Sequence, residues 1–134
     1  MDDIAAEVEA FYAGYLDAWN ARDLEGLDAC FALPATFVSP MGTLAVNSRR
    51  ELRAVLARNF ERLESEGFSQ SSAGTLQVRT CAEGLAVADV FGLRRLRADG
   101  SLQEEIDAHY ILRRDGRGWR FVVTMTCTPG WQDR

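Results

Sequence analysis

The sequence predicts an α+β domain in which three helices accompany a mostly antiparallel sheet, and three observations predict it. Over the first twenty positions, apolar residues recur with the period of an amphipathic helix. From position 75 onward, alternating β-branched and aromatic runs are separated by turn pairs such as Glu83-Gly84, Asp99-Gly100 and Asp115-Gly116. The 134 residues, 47% of them hydrophobic, suffice for one domain with its own core, which we expect to span positions 1–134.

The first helix is predicted from about Asp3 to Asn20. Its apolar positions follow one another at three- and four-residue steps and therefore share one face. The stripe consists of Ile4, Val8, Phe11, Tyr12, Tyr15 and Trp19. Such a stripe is most often core, but the polar atoms of the tyrosines and the tryptophan would also suit the roof of a cavity.

A short second helix is predicted after Asp23, a residue type that caps helices, and Pro34 is expected to end it. Its apolar positions are Leu24, Leu27, Cys30 and Phe31. The segment Ser39-Pro40-Met41-Gly42 is predicted to turn between two short strands, Thr36 to Val38 and Thr43 to Val46.

A third helix is predicted to begin at the capping box formed by Ser48 and Glu51 and to stop at Gly67. Its inward positions are Leu52, Val55, Leu56, Phe60 and Leu63. The opposite face mixes arginine and glutamate, which is typical of a solvated, ion-paired surface.

A four-stranded antiparallel meander is predicted for the rest of the chain. Gly92 interrupts the long strand from Leu85 to Leu96, which indicates a bulge or a bend. Simple alternation in the last strand predicts one face that belongs to the core and a second face made by Val122, Thr124 and Thr126. The predicted core face consists of Trp119, Phe121, Val123 and Met125.

Composition excludes several classes of function. A net charge of −5 lacks the basic excess that phosphate contacts require, so nucleic acid is not an expected partner. All fifteen basic residues are arginine, which excludes lysine Schiff-base chemistry and the usual phosphate loop. With a single histidine no metal-ligand spacing exists, and we expect neither a metal nor a cofactor.

The sequence also bears on location. Its start has no secretory signal pattern, no apolar run is long enough to cross a bilayer, and the three cysteines lie in apolar segments that suit a reducing interior. We therefore expect a cytoplasmic protein without membrane contact.

The element order, together with YLDAWNARDLEGLDACFALPATFVSPMGT, resembles the nuclear transport factor 2-like superfamily, which includes ketosteroid isomerases and SnoaL-like polyketide cyclases. The resemblance covers essentially the whole chain. It implies a cone-shaped fold, in which a curved sheet wraps around three helices and leaves a pocket between sheet and helices. It does not fix function, because the family includes enzymes, binders and interaction modules.

Residue by residue, the resemblance gives mixed signals. Tyr15 matches the helix-one tyrosine that donates to the developing enolate oxygen in ketosteroid isomerases. The catalytic aspartate that precedes a proline in those isomerases is replaced by Ser39, whose hydroxyl is a poor base for a carbon-bound proton. Their second oxyanion donor falls near His109 or Tyr110, and the strand register leaves both alternatives open.

One further constellation comes from spacing alone. Asp107 and His109 are two residues apart on a strand and share a face, so an inward face would make them an orienting acid and a base. If the opposite face is inward, Tyr110 lines the pocket and the pair lies outside. Asp89, on the neighbouring strand, is another candidate inward acid, although an ion-paired position is the simpler interpretation.

Three hypotheses follow. The first is a SnoaL-like protein that binds a small apolar, cyclic organic molecule in the cone pocket, at Tyr12, Tyr15, Trp19, Phe37, Ser39, Phe60, Tyr110, Val123 and Met125. The second is a cofactor-independent isomerase, polyketide cyclase or dehydratase that uses Asp107, His109 and Tyr15. The third is a homodimeric interaction module whose outer sheet face packs against a second copy.

Overall fold

The computed structural model describes residues 3–133, which form three α-helices and seven strands. The helices are α1 (Asp3–Asn20), α2 (Leu24–Ala29) and α3 (Arg49–Ser65). The strands are β1 (Phe31–Ser39), β2 (Gly42–Val46), β3 (Phe68–Ser72), β4 (Thr75–Ala82), β5 (Leu85–Arg97), β6 (Leu102–Asp115) and β7 (Gly118–Cys127). A short 3-10 helix at Trp131–Asp133 follows. The predicted α+β fold class is confirmed.

The seven strands form one mixed, mostly antiparallel sheet in the order β2-β1-β7-β6-β5-β3, with β4 also paired to β5. The β1–β7 pair is parallel and every other pair is antiparallel. Strand β5 pairs with β4 through its first half and with β3 through its second half. The two partners meet near Gly92, where φ is +75° and the pairing of β5 with β6 also shifts. The interruption predicted at Gly92 is confirmed.

The local signals at the helix ends act as predicted. The Asp23 carboxylate accepts from the Gly26 N–H at 3.0 Å, and the Ser48 hydroxyl oxygen accepts from the Glu51 N–H at 3.1 Å. The Glu51 carboxylate reaches back to the Asn47 N–H at 2.9 Å, one residue earlier than the usual capping box.

The end of the second helix differs from the prediction. The helix stops at Ala29, and Phe31 already begins β1, which continues through the cis Leu33-Pro34 bond to Ser39. Phe31 is fully buried against the ring of Phe121, with centroids 5.5 Å apart. Tertiary packing of this aromatic ring therefore overrides the helical spacing.

Strand β3 is not apparent in the sequence, because Phe68–Ser72 is short and mostly polar. Asn20, at the end of α1, holds it from the helix side. Its side-chain oxygen accepts from the Ser71 N–H at 2.7 Å, and its NH₂ group donates to the Ser71 carbonyl at 3.2 Å. The side-chain amide thus satisfies the backbone groups as a neighbouring strand would.

The core lies between the inner face of the sheet and the three helices. Its centre is an aromatic cluster in which the Tyr15 ring lies 4.7 Å from Phe121, and Phe121 lies 4.6 Å from Tyr110. Such tilted and edge-on pairs stabilise the fold beyond the area they bury. None of the helices within residues 3–133 is long and apolar enough to span a membrane.

Two glycines are expected to respond in opposite directions to a methyl group. A Cβ at Gly74 would lie far inside van der Waals contact with the backbone of Phe91 and Gly92, whereas one at Gly14 would meet nothing within 4 Å. Gly74→Ala should lower the free energy of unfolding by roughly 1–3 kcal/mol, as overpacking does. Gly14→Ala should raise it by about 0.5–1 kcal/mol, because alanine favours a helix interior. Urea denaturation of both variants checks this, and equal effects would contradict it.

Candidate functional site

The inner face of the sheet and the helices enclose a cavity of about 120 Å³. Its aromatic wall comes from Tyr15 and Trp19 of α1, Phe37 of β1 and Tyr110 of β6. The other lining residues are Val55, Leu56, Asn59, Arg95, Ile106, Ala108, Thr124, Met125 and Thr126. An apolar wall with a few polar groups is typical of small-molecule sites.

A vestibule of about 560 Å³ shares part of this lining and leads toward the β1–β2 turn. The residues common to both spaces are Phe37, Asn59, Arg95, Ile106, Thr124 and Thr126. The vestibule adds the strand–turn segment from Val38 to Met41 and the charged side chains of Arg62 and Glu104. The cavity and the vestibule together are called the cone pocket below.

The tyrosines of the cone pocket are suited to donate hydrogen bonds. Burial raises the pKa of Tyr15 and of Tyr110 well above the ordinary value of a phenol. Burial also raises the pKa of the neighbouring Tyr12 to about 12. The hydroxyls of Tyr15 and Tyr110 therefore stay protonated near neutral pH and can donate to an oxygen of a bound molecule.

A β-bulge in β7 exchanges the two faces of the last strand relative to the prediction. Leu112 is opposite Phe121, but Ile111 is opposite Val123, so Val122 is an extra residue. Beyond the bulge, Val123 faces the same side as His109, away from Tyr110.

The predicted core face of Trp119, Phe121, Val123 and Met125 is therefore wrong after Phe121. The two side chains expected outside, Thr124 and Thr126, line the cavity. Val123 lies on the outer face, and Met125 borders both the cavity and an outer pocket.

The other residues predicted for ligand binding occupy different positions. Tyr12 is buried in the core beside Tyr15 and Tyr110. Phe60 packs on the Trp19 ring, with centroids 4.5 Å apart. Ser39 lies at the vestibule, where its hydroxyl oxygen accepts from the Met41 N–H at 3.1 Å and so stabilises the turn.

The structure does not bring the three predicted catalytic residues together. Tyr110 and Ala108 of β6 line the cavity, and alternation sends Asp107 and His109 to the outer face. Asp107 does not orient His109. Its carboxylate oxygens instead accept from the Gly92 N–H at 2.9 Å and the Gly130 N–H at 3.0 Å, which ties the C-terminal segment to the sheet.

His109 and Asp89 are buried on the outer face of the sheet, in a network whose other members, Arg79 and Trp131, are exposed. His109 Nδ1 lies 2.7 Å from Asp89 Oδ1, directly across the β5–β6 pair, and its Nε2 lies 2.8 Å from the Trp131 indole nitrogen. Arg79 holds the other Asp89 oxygen with two hydrogen bonds of 2.9 and 3.1 Å. Both imidazole nitrogens are thus engaged, as in a structural histidine.

Sequence reasoning missed Arg95, Asn59, Trp131 and the two threonines. Gly92 was the available signal for Arg95, because a bulge there decides which of the adjacent Arg94 and Arg95 faces inward. Within residues 3–133, His, Cys, Asp and Glu side chains form no cluster of three or more that could hold a metal ion.

The seven-stranded, mostly antiparallel sheet and the three helices are those of an NTF2-like protein. The family model described as "NTF2-like protein (DUF6841)" matches residues 6–129, and the chain belongs to that family. Among curated proteins, none matches the sequence.

Solved structures show the same fold at low identity. A domain of unknown function with a cystatin-like fold from Nostoc punctiforme is 23% identical, covers 99% of this chain and 80% of its own, and has a TM-score of 0.74. The protein Aln2 from a Streptomyces species is 17% identical, and the match covers 96% of this chain and 92% of Aln2, with a TM-score of 0.76. An NTF2-like protein from Novosphingobium aromaticivorans is 18% identical, and the match covers 95% of this chain and 82% of that protein, with a TM-score of 0.74.

The outer network fixes the tautomer of His109. An indole N–H can only donate, so Nε2 must accept and the proton of the neutral ring must lie on Nδ1, where it is donated to Asp89. Long-range ¹H–¹⁵N correlation spectra should show this tautomer unambiguously, because the chain contains one histidine. A proton on Nε2 would contradict the network.

The variant Trp131→Phe should move the Nε2 resonance and lower the free energy of unfolding by about 1 kcal/mol, because it removes one donor but keeps an aromatic ring in edge contact with the imidazole. Trp119→Phe is the matched control. Its indole donates to Glu7 at 2.8 Å, so the imidazole signals should not move.

Proposed function

We propose that this protein binds a small apolar, cyclic organic molecule in the cone pocket. The observation that carries the proposal is the aromatic wall of Tyr15, Trp19, Phe37 and Tyr110 around an interior space that continues into a vestibule. A dry cavity of about 150 Å³ accepts benzene, and the inner space of about 120 Å³ is slightly smaller but continues into the vestibule. One planar ring would therefore occupy the inner space, and a second fused ring or a substituent would extend into the vestibule. A ligand ring packed edge-to-face against the aromatic wall would be stabilised by dispersion and by the quadrupoles of the rings.

The composition of the lining favours binding over acid–base catalysis. Within residues 3–133, the inner cavity is lined by no carboxylate and no imidazole, and the acid at the vestibule, Glu104, is paired with Arg95. Tyr15 can donate to an oxygen, but a proton-transfer reaction also needs a base within hydrogen-bond reach. An isomerase, cyclase or dehydratase that uses Tyr15 together with His109 would need the imidazole to cross the sheet.

We also propose that the outer face of the sheet packs against a second copy of the chain. In support, Val87, Ile111 and Val123 lie directly opposite one another across β5, β6 and β7 and form one apolar row. Ile111, at its centre, is 38% exposed. An apolar row on a sheet can pack against the same row of a second copy under a twofold axis, which is the commonest symmetry of homodimers.

Filling the cavity should abolish ligand binding. Ala108 is 3% exposed and lines the cavity, so the larger side chain of Ala108→Leu would occupy the space of the ligand ring. We expect an uncharged probe, 2-naphthol, to bind the unchanged protein in calorimetry and to bind Ala108→Leu at least about tenfold more weakly, the factor that 1.4 kcal/mol represents. Ala45→Leu, on the exposed face of β2, is the control and should bind normally. The proposal would be overturned if the unchanged protein bound none of 2-naphthol, 2-naphthamide and 2-naphthoate.

Disrupting the apolar row should dissociate the dimer. Ile111→Glu places a charge at its centre, and burial of an unpaired carboxylate opposes association. Light scattering at micromolar concentration should give the dimer mass for the unchanged protein and the monomer mass for the variant. Thr43→Glu, on exposed β2, should remain dimeric. A monomer for the unchanged protein would exclude this interface.

A further inference from the structure

Arg95 lines both the cavity and the vestibule, whereas Arg62 lines the vestibule alone. Strand β5 shifts its pairing with β6 between Val90 and Leu93, around Gly92, and beyond this shift Leu93 is buried in the core. Alternation then sends Arg94 to the outer face, where it pairs with Glu105, and Arg95 to the inner face. The Arg95 side chain is 13% exposed, so its charge lies at the junction of cavity and vestibule in a largely dry position.

The hydrogen bonds of Arg95 occupy only part of its guanidinium. Nη1 donates to Glu104 Oε2. Nε is buried, and among residues 3–133 it has no acceptor within hydrogen-bond distance. Nε–H and the adjacent Nη2–H form the side-on edge of a guanidinium, which matches the two oxygens of a carboxylate. A buried N–H without a partner is costly, so this edge is poised for an acceptor from outside the chain.

The charges around the vestibule favour a ligand with a single negative charge. The vestibule is lined by Arg62, Arg95 and Glu104. Arg62 Nη1 lies 3.4 Å from Glu66 Oε1 and 3.8 Å from Glu104 Oε1, so two carboxylates share the charge of Arg62. A monoanion held by Arg95 would add one negative charge beside Glu104, whereas a dianion would add two.

Polar groups next to Arg95 complete the surroundings of an anion. Asn59 lines both spaces, and because its Oδ1 accepts from Arg62 Nη2 at 3.1 Å, its NH₂ group is oriented as a donor. Thr124 and Thr126 contribute hydroxyls on the opposite wall. Burial raises the pKa of Tyr15 and of Tyr110, and the positive charge of Arg95 opposes this increase.

We propose that the natural ligand is a cyclic organic acid whose carboxylate is held side-on by Nε–H and Nη2–H of Arg95 while its ring occupies the aromatic cavity. This rests on the proposed function, because it names the class of molecule that the cone pocket takes. Arg95 determines specificity by placing two donors where a carboxylate oxygen pair fits and an amide does not.

A matched pair of probes tests the inference on the unchanged protein. The compounds 2-naphthoate and 2-naphthamide have nearly the same shape, but only the acid offers two acceptor oxygens. Calorimetry at neutral pH should show that the acid binds about tenfold or more tightly, the difference expected for a charge-assisted bidentate pair. Equal affinities would overturn this inference while leaving the proposed function standing. Failure of both compounds and of 2-naphthol would overturn the proposed function itself.

Variants of the two adjacent arginines test the assignment to Arg95. Arg95→Gln should erase the preference for the acid. Arg95→Lys should retain only part of it, because an ammonium keeps the positive charge but lacks the two parallel N–H donors of a guanidinium. Arg94→Gln, on the opposite face of the same strand, is the matched control and should keep the full preference. Circular dichroism verifies folding. If Arg95→Gln does not fold, Arg95→Lys and the acid–amide comparison still decide, and a full preference in Arg95→Lys would exclude the side-on contact.

Discussion

The single extra residue in β7 is the constraint on which the pocket depends. Val122 has no opposite residue in β6, and its insertion changes which side chains of the last strand point inward. Before it, Phe121 is fully buried in the aromatic core, and beyond it Thr124 and Thr126 line the cavity. Without the bulge, Val123 and Met125 would replace the two threonines, and the inner wall would have no hydroxyl on that strand. The bulge therefore joins a solid core to a partly polar pocket along one strand.

Local chemistry made the helices predictable from the sequence. Side-chain caps at Asp23 and Ser48 act within three residues of the amides they cover, and the stripe of α1 needs only the helical period. Long-range pairing decided what local signals could not. Phe31 lies in β1 and not in the second helix, because its ring packs against the buried ring of Phe121 on β7. Strand β3 forms because Asn20 and the edge of β5 satisfy its backbone hydrogen-bonding groups.

The candidate site was predictable only in part, for the same reason. Tyr15 and Trp19 lie on a helix whose inward face the sequence defines. Alternation groups Tyr110 with Ala108 and separates both from His109, but it does not say which of the two faces is inward. The bulges near Gly92 and at Val122 each reverse the face of every residue that follows, and a slip of one residue is invisible in a pattern of period two. Arg95 and Thr124 both lie beyond such a bulge, so the sequence pattern did not predict that they face the pocket.

The polar side chains on the two faces of the sheet differ in how completely they are hydrogen-bonded. On the outer face, the buried side chains of Asp89 and His109 find their hydrogen-bond partners in Arg79 and Trp131, and a satisfied polar network stabilises a unique packing. On the inner face, Arg95 is neutralised by Glu104 at Nη1 and left open at Nε. Glu104 lowers the free-energy cost of burying the Arg95 charge. The Nε–H edge of the guanidinium, which has no partner, sets the direction from which a ligand oxygen can approach. Selectivity in this pocket would then come from where its donors point and not from how much charge it holds.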